Sequence, residues 1–350
     1  MTRFLLTVAL TGGLCLAATG QDRTPATSPT PAAKAIAADA PVNFAEHIAP
    51  IVFSKCAACH RPGEAGPFSL LSYKDVRKRA KLIQQVTERR YMPPWHPAPG
   101  HAEFQHERRL TDEQVALIKR WAETGMAEGD PTRLPKLPTF TEGWQLGTPD
   151  LIVSMPKAYE VPATGRDIYR NFVLPLNLKE DKWLTAIELR PSARSVVHHV
   201  LFFADTTGKS RARDGQGGKP GFSGAGFGRG GGSLGGWAAG GMPHFLPDGL
   251  GIHVAKNTDL ILQTHFHPSG KVEQEKTTVG LYFAKQKPAR TLLSFQAPPL
   301  FGMLTGINIP PGEKAYKLKG TFKAPVDMEL ITAGGHAHYT CASMVAKATL

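Results

Sequence analysis

Two spacings of apolar residues divide this 350-residue chain. Up to about residue 125 the apolar positions recur with a helical period. Asn43 is an N-cap residue type, and after it Phe44, Ile48, Ile51 and Val52 fall on one face. Thr111 and Gln114 make a capping-box pair, Val115, Ile118, Trp121 and Ala122 line a second helical face, and Gly125 stops it. A proline-punctuated stretch, "DPTRLPKLPTF" from Asp130 to Phe140, then breaks the pattern and marks a boundary. From about residue 148 the chain turns to short β-rich runs between turns: "LIVSM", "YRNFVLPL", "LTAIEL", "SVVHHVLFF", "DLILQTHFH" and "TVGLYFA". This predicts an all-β region, a sandwich.

Between two of those runs lies a glycine-dominated stretch, Thr206 to Gly241, which reads as a flexible connector. Its Gly226, Gly228 and Gly231 spell G-x-G-x-x-G, but no βα pattern surrounds them and no helix follows, so no dinucleotide site is implied.

One run breaks its own pattern. In "SVVHHVLFF" the apolar residues predict a buried strand, yet His198 and His199 stand side by side in its middle. Adjacent side chains on a strand point to opposite faces, and each buried imidazole needs a partner. Two further pairs, His265 with His267 and His336 with His338, have period-two spacing, which puts both rings on one face within reach of one metal. An adjacent pair can share a metal only where the strand bends or ends. Neutral imidazole suits copper and zinc.

Composition changes the picture in three ways. The formal net charge is +12, but the basic residues are scattered without interleaved aromatics, so no nucleic-acid partner is expected. Arg3 and the apolar stretch Phe4 to Ala18 read as an export signal over residues 1–20, too short and glycine-broken for a stable membrane span. The expected location is periplasmic or secreted. Residues 21–40, rich in Pro, Ala and Thr, read as a linker. Besides Cys15 the chain has only Cys56, Cys59 and Cys341, so it does not rely on a disulfide framework. The bulky Leu14 before Cys15 argues against lipid attachment there.

"CAACH" (Cys56, Cys59, His60) is the sharpest local motif. Two thiols three positions apart can add to the two vinyl groups of haem, and the next His can ligate the iron. A zinc half-site would want a second Cys or His pair of matching spacing, and there is no second C-x-x-C. Met92, in "RRYMPPWHP", is the leading candidate for a sixth ligand, with His96 and Met126 as competitors. Through "IAPIVFSKCAACHRPG", "MPPW" and "LTDEQVALIKRWAETG", residues 43 to 130 resemble a class I-like cytochrome c domain. That resemblance implies an all-α domain with one covalent haem c and a role in moving single electrons.

Residues from about 148 to 350 resemble the copper type II, ascorbate-dependent monooxygenases. This is the family of peptidylglycine α-hydroxylating monooxygenase and dopamine β-monooxygenase. The resemblance implies an electron-transfer copper on the adjacent pair His198 and His199 with His265 of "LQTH". It implies a second copper, where oxygen is activated, on His336 and His338 with a distant Met. His267 has no ligand counterpart, and His253 and His244 read as structural or exposed. The chain ends at Leu350, Met344 is too close along the same strand to be that distant Met, and the second copper site is expected to be incomplete.

The expected organisation is therefore multidomain: residues 1–20 signal, 21–40 linker, 41–130 an all-α cytochrome c domain and 131–147 linker. Residues 148–288 would form a jelly-roll-like β-sandwich copper domain, and 289–350 part of a second β-domain. The expected activity is an oxidoreductase of the copper monooxygenase type, using O2 on a small-molecule or peptide substrate. Electrons would come from ascorbate or a redox protein through the haem. The alternative is a haem and copper electron carrier without hydroxylase activity.

Overall fold

The computed structural model describes residues 40–104, 107–224, 232–292, 294, 308–335 and 341–349. The chain divides into two units, one made of residues up to Cys56 and Leu70–Leu137, the other of Ala57–Ser69 and Pro138–Leu350.

The first unit is built from short helices. The Asn43 side chain accepts from the Glu46 amide and opens a π-helical turn, Phe44–Ile48, that runs into α1 (Ala49–Lys55). Then come α2 (Tyr73–Arg77), α3 (Ala80–Glu88) and α4 (Asp112–Glu123), the last with the reciprocal Thr111–Gln114 capping box in place. Phe44, Ile48, Ile118 and Trp121 are fully buried, with the Phe44 and Trp121 ring centres 6.0 Å apart. Burying an aromatic side chain of this kind contributes about 2–3 kcal/mol, so these rings hold helices too short to persist alone. The Trp121 indole N–H donates to the Ala127 carbonyl at 2.9 Å, which fastens the segment after α4.

The expected all-α cytochrome c domain is not evident. Among the described residues strand outweighs helix, 23% against 16%, and the α-helices are four short ones. The longest, α4, has 12 residues. The reason lies between the helices, where "RPGEAGP" and "YMPPWHPAPG" remove amide donors and favour turns. The segment 57–69 that follows α1 belongs to the second, β-rich unit.

The second unit contains two sheets. β1 (Leu151–Ser154), β4 (Lys182–Arg190), β7 (Leu250–Val254), β10 (Thr278–Phe283) and the two-residue β11 (Arg290–Thr291) form one, in the order β1-β10-β4-β7-β11. The other is antiparallel, in the order β3-β8-β5-β6, from β3 (Ile168–Pro175), β5 (Val197–Asp205), β6 (Ser233–Ala238) and β8 (Asp259–Phe266). A small ribbon pairs β2 (Tyr159–Val161) with β9 (Glu273–Glu275). Leu184, Leu189, Val279 and Leu281 of the first sheet share one apolar core with Phe172, Val200, Phe202, Leu260 and Leu262 of the second.

The stretch Thr206 to Gly241 is not simply a connector. Its "SLGGWA" is strand β6, paired with β5 so that Trp237 stands opposite Val200 and Ala238 opposite His199. Gly236 permits this: a Cβ there would lie 3.0 Å from both the Val200 carbonyl and the Leu201 side chain. Upstream, the buried Arg170 of β3 donates to the carbonyls of Lys219, Pro220 and Gly221 and to the Ser223 hydroxyl. The Gly221 carbonyl also accepts from the Gly215 amide at 3.0 Å, so Arg170 adds to a loop that is partly closed by its own backbone.

The expected part of a second β-domain, residues 289–350, lies partly outside the described residues. Among the described residues beyond Thr291 there is no strand, and residues 308–335 are almost wholly exposed. Leu318, Phe322 and Leu330 are exposed there.

Candidate metal centre

The adjacent histidines lie on β5, and the β5–β8 ladder explains how both are used. Val197 is paired with Phe266 and His199 with His265, so β5 spends two residues where β8 spends one. His198 is the extra residue of a β-bulge. A bulge bends the strand and redirects a side chain, so two neighbours that regular alternation would send to opposite faces can approach one point.

They do approach one point. The Nδ1 atoms of His198 and His199 are 3.1 Å apart, and those of His199 and His265 are 3.3 Å apart. The ligand atoms of all three residues lie within 4.8 Å of one another. For nitrogens held about 2.0–2.1 Å from a metal in tetrahedral geometry, the nitrogen–nitrogen separation is about 3.3 Å. Two of the three pairs therefore stand at ligand spacing, and the third lies within 4.8 Å. Among the described residues this is the group of three or more His, Cys, Asp or Glu side chains that converges in this way. Burial is graded: His265 is buried, His199 half-buried and His198 exposed, so the centre is rooted in the sheet and opens to solvent beside His198.

Asp167, just before β3, completes the arrangement and was not anticipated from sequence. Its Oδ2 lies 2.9 Å from His265 Nε2 and its Oδ1 lies 2.7 Å from His267 Nδ1. The bond to His267 holds the Asp167 carboxyl below the usual range against partial burial, with help from His265. With His265 Nε2 directed at a carboxylate, Nδ1 is the nitrogen turned toward His199. Tyr169, the β3 residue paired with His265, stacks on that ring at 4.3 Å and 19°. His267 is 62% exposed and points to Asp167 rather than to the three converging nitrogens. No local signal marks "RDIYR" for this role. It follows only from the pairing of β3 with β8, which joins residues about a hundred positions apart.

The haem motif is divided. Cys56 ends α1 in the first unit, where Met92 also lies half-buried after α3, while Cys59 and His60 belong to the second unit. Neither Cys56 nor Cys59 is in a disulfide, and both are half-buried. His60 Nδ1 lies 3.2 Å from the Phe68 carbonyl, which makes Nε2 the nitrogen this ring would offer to an iron. The loop is drawn tight by Gly66, whose amide donates to the Cys59 carbonyl at 2.9 Å. A Cβ at Gly66 would come within 2.7 Å of that carbonyl and of the His60 ring. In the second unit Cys59 also lines a cavity of about 140 Å³ with Arg61, Glu64, Phe140, Arg194 and Trp237. Glu64 accepts from both arginines there.

His336 and His338 lie outside the described residues, as do Met303 and the export signal with Cys15. Met344 is exposed, and a side chain placed on Gly335 would meet its sulfur at 2.6 Å. His253, read as structural, bonds to Asp181 at 2.9 Å through Nε2. No helix among the described residues is long and apolar enough to cross a membrane. No family model matches the chain, and neither does any curated protein.

Proposed function

We propose that the protein is an exported copper oxidoreductase of the monooxygenase type whose electron-transfer metal sits on His198, His199 and His265. The observation that carries this reading is the bulge-directed convergence of three Nδ1 atoms, two of the three pairs at ligand spacing. Three neutral imidazoles and no carboxylate or thiolate form a donor set that suits copper. Bound there, copper would supply reversible one-electron chemistry.

The chain's own residues do the rest. β5 and β8 fix His199 and His265 through the ladder, and the bulge turns the His198 ring toward them. The exposed edge at His198 leaves a path for electrons from outside the sheet. Cys56, Cys59 and His60 would hold a covalent haem c, the upstream donor in this reading, with Met92 as the candidate sixth ligand. His336 and His338 are the proposed ligands of a second copper, where O2 would be activated toward a small-molecule or peptide substrate.

The test is a metal analysis of purified protein, giving copper and iron per chain, joined to oxygen uptake with a generic reductant with and without added copper. Copper in the protein and copper-dependent uptake with a hydroxylated product support the reading. Copper that cycles without product would make the protein an electron carrier. Zinc in place of copper would overturn the redox role.

A further inference from the structure

The carboxylate between His265 and His267 is better placed than a surface ion pair requires. It accepts from one ring that is almost fully buried and from one that is mostly exposed. It uses one oxygen for each, at 2.9 and 2.7 Å. The buried ring is also clamped by Tyr169, stacked 4.3 Å away. A histidine that ligates a metal through one nitrogen is oriented, and made more basic, by the acceptor on its other nitrogen.

We propose that Asp167 is a positioning residue of the metal centre, fixing His265 as an Nδ1 ligand, and that His267 in turn holds Asp167 from the solvent side without being a ligand. This rests on the copper reading above and extends it to two residues that do not touch the metal. The chain is His267, Asp167, His265, metal, and each link before the last is a hydrogen bond of ordinary length. His267 and His265 are two positions apart at the end of β8, so the same period that puts them on one face also sets them either side of one carboxylate. Only one of the two has its remaining nitrogen turned toward His199.

The experiment compares copper affinity, by competition with a chelator, and the electron paramagnetic resonance spectrum of the Cu(II) form. The proteins are the unmodified chain and its Asp167→Ala, Asp167→Asn, His267→Ala and His265→Ala variants. Asp167→Ala removes the acceptor and is expected to weaken copper binding roughly 10–100-fold and to change the spectrum. Asp167→Asn keeps an acceptor but not the charge, and should fall between. His267→Ala, at an exposed position, should retain the ligand set and lose less than Asp167→Ala. Asp167 variants that bind copper as the unmodified chain does, with the same spectrum, overturn the inference alone. Copper loss in His267→Ala equal to that in His265→Ala overturns the assignment of roles, and this readout stands even if the Asp167 variants fail to fold. No copper binding by the unmodified chain would instead remove the reading on which the inference rests.

Discussion

His199 stands directly across the β5–β8 ladder from His265, with their Nδ1 atoms 3.3 Å apart, while His198 occupies the bulge beside them. Geometry of this kind makes the three ligands unequal. His265 is fixed by burial, by Tyr169 and by Asp167, whereas His198 is exposed and sits in the bulge.

Single alanine variants of His198, His199 and His265 should each lose copper by more than the roughly 10–100-fold expected of a supporting residue. Each should retain any covalent haem. His265→Ala should also lower the melting temperature, because it opens a cavity beneath Tyr169 and removes a partner of Asp167. Chelator competition and thermal unfolding on the same samples check both. An undiminished copper content in any one variant would remove that residue from the ligand set.

How much of this was legible in the sequence differs from residue to residue. "SVVHHVLFF" singled out His198 and His199 as candidates because two adjacent imidazoles in an apolar strand need partners on both faces, and the structure brings them together with His265. The need for a bend was also readable, and the bulge supplies it. Asp167 was not readable, since its role comes from strand pairing over about a hundred residues. Strand β6 was missed because glycine weakens strand propensity, and only the close approach to Val200 and Leu201 makes glycine right there. The all-α domain was over-read: good caps and one amphipathic face define α4, but they say nothing about the proline-rich segments between helices. The expected second β-domain falls largely on residues outside the described ones.

The haem motif gives a separate test. Cys56→Ala and Cys59→Ala should each abolish doubly linked haem, because each thiol would form its own thioether. Denaturing electrophoresis with a haem stain, and the pyridine haemochrome spectrum, read this directly. Met92→Ala should leave haem attached while lowering its reduction potential. An unchanged potential in that variant would pass the sixth-ligand role to His96 or another residue.

Arg170 offers a prediction about stability rather than chemistry. Its guanidinium is buried and satisfies three consecutive backbone carbonyls, Lys219 to Gly221. Arg170→Ala removes its bonds to all three, although Gly221 keeps the Gly215 amide as a donor, and should destabilise the second unit by about 1–3 kcal/mol. Arg170→Lys should recover little, because a single ammonium cannot span the same arc of acceptors. Urea unfolding followed by tryptophan fluorescence measures the difference, and equal midpoints for all three proteins would show that the loop is held by other means.

The last prediction concerns acid. Asp205, at the end of β5, is fully buried. Burial by itself would raise its pKa, yet bonds from the Thr207 and Ser210 side chains and amides outweigh that and bring it down to about 2. The Thr207 and Ser210 amides lie 2.8 and 2.9 Å from its two oxygens. A carboxyl whose folded pKa lies below its unfolded value of 3.8 stabilises the fold above that value. The contribution declines as pH falls through the window from about 4 to about 2, and is gone below it. The full effect is on the order of 2 kcal/mol. Asp205→Asn keeps an acceptor without the charge, so it should be less stable than the unmodified protein at neutral pH. The gap between the two should then close on acidification across that window. Thermal melts at a series of pH values from 7 to 2 test this. A gap that stays constant with pH would mean that Asp205 contributes shape and hydrogen bonds to the turn after β5, and no charge.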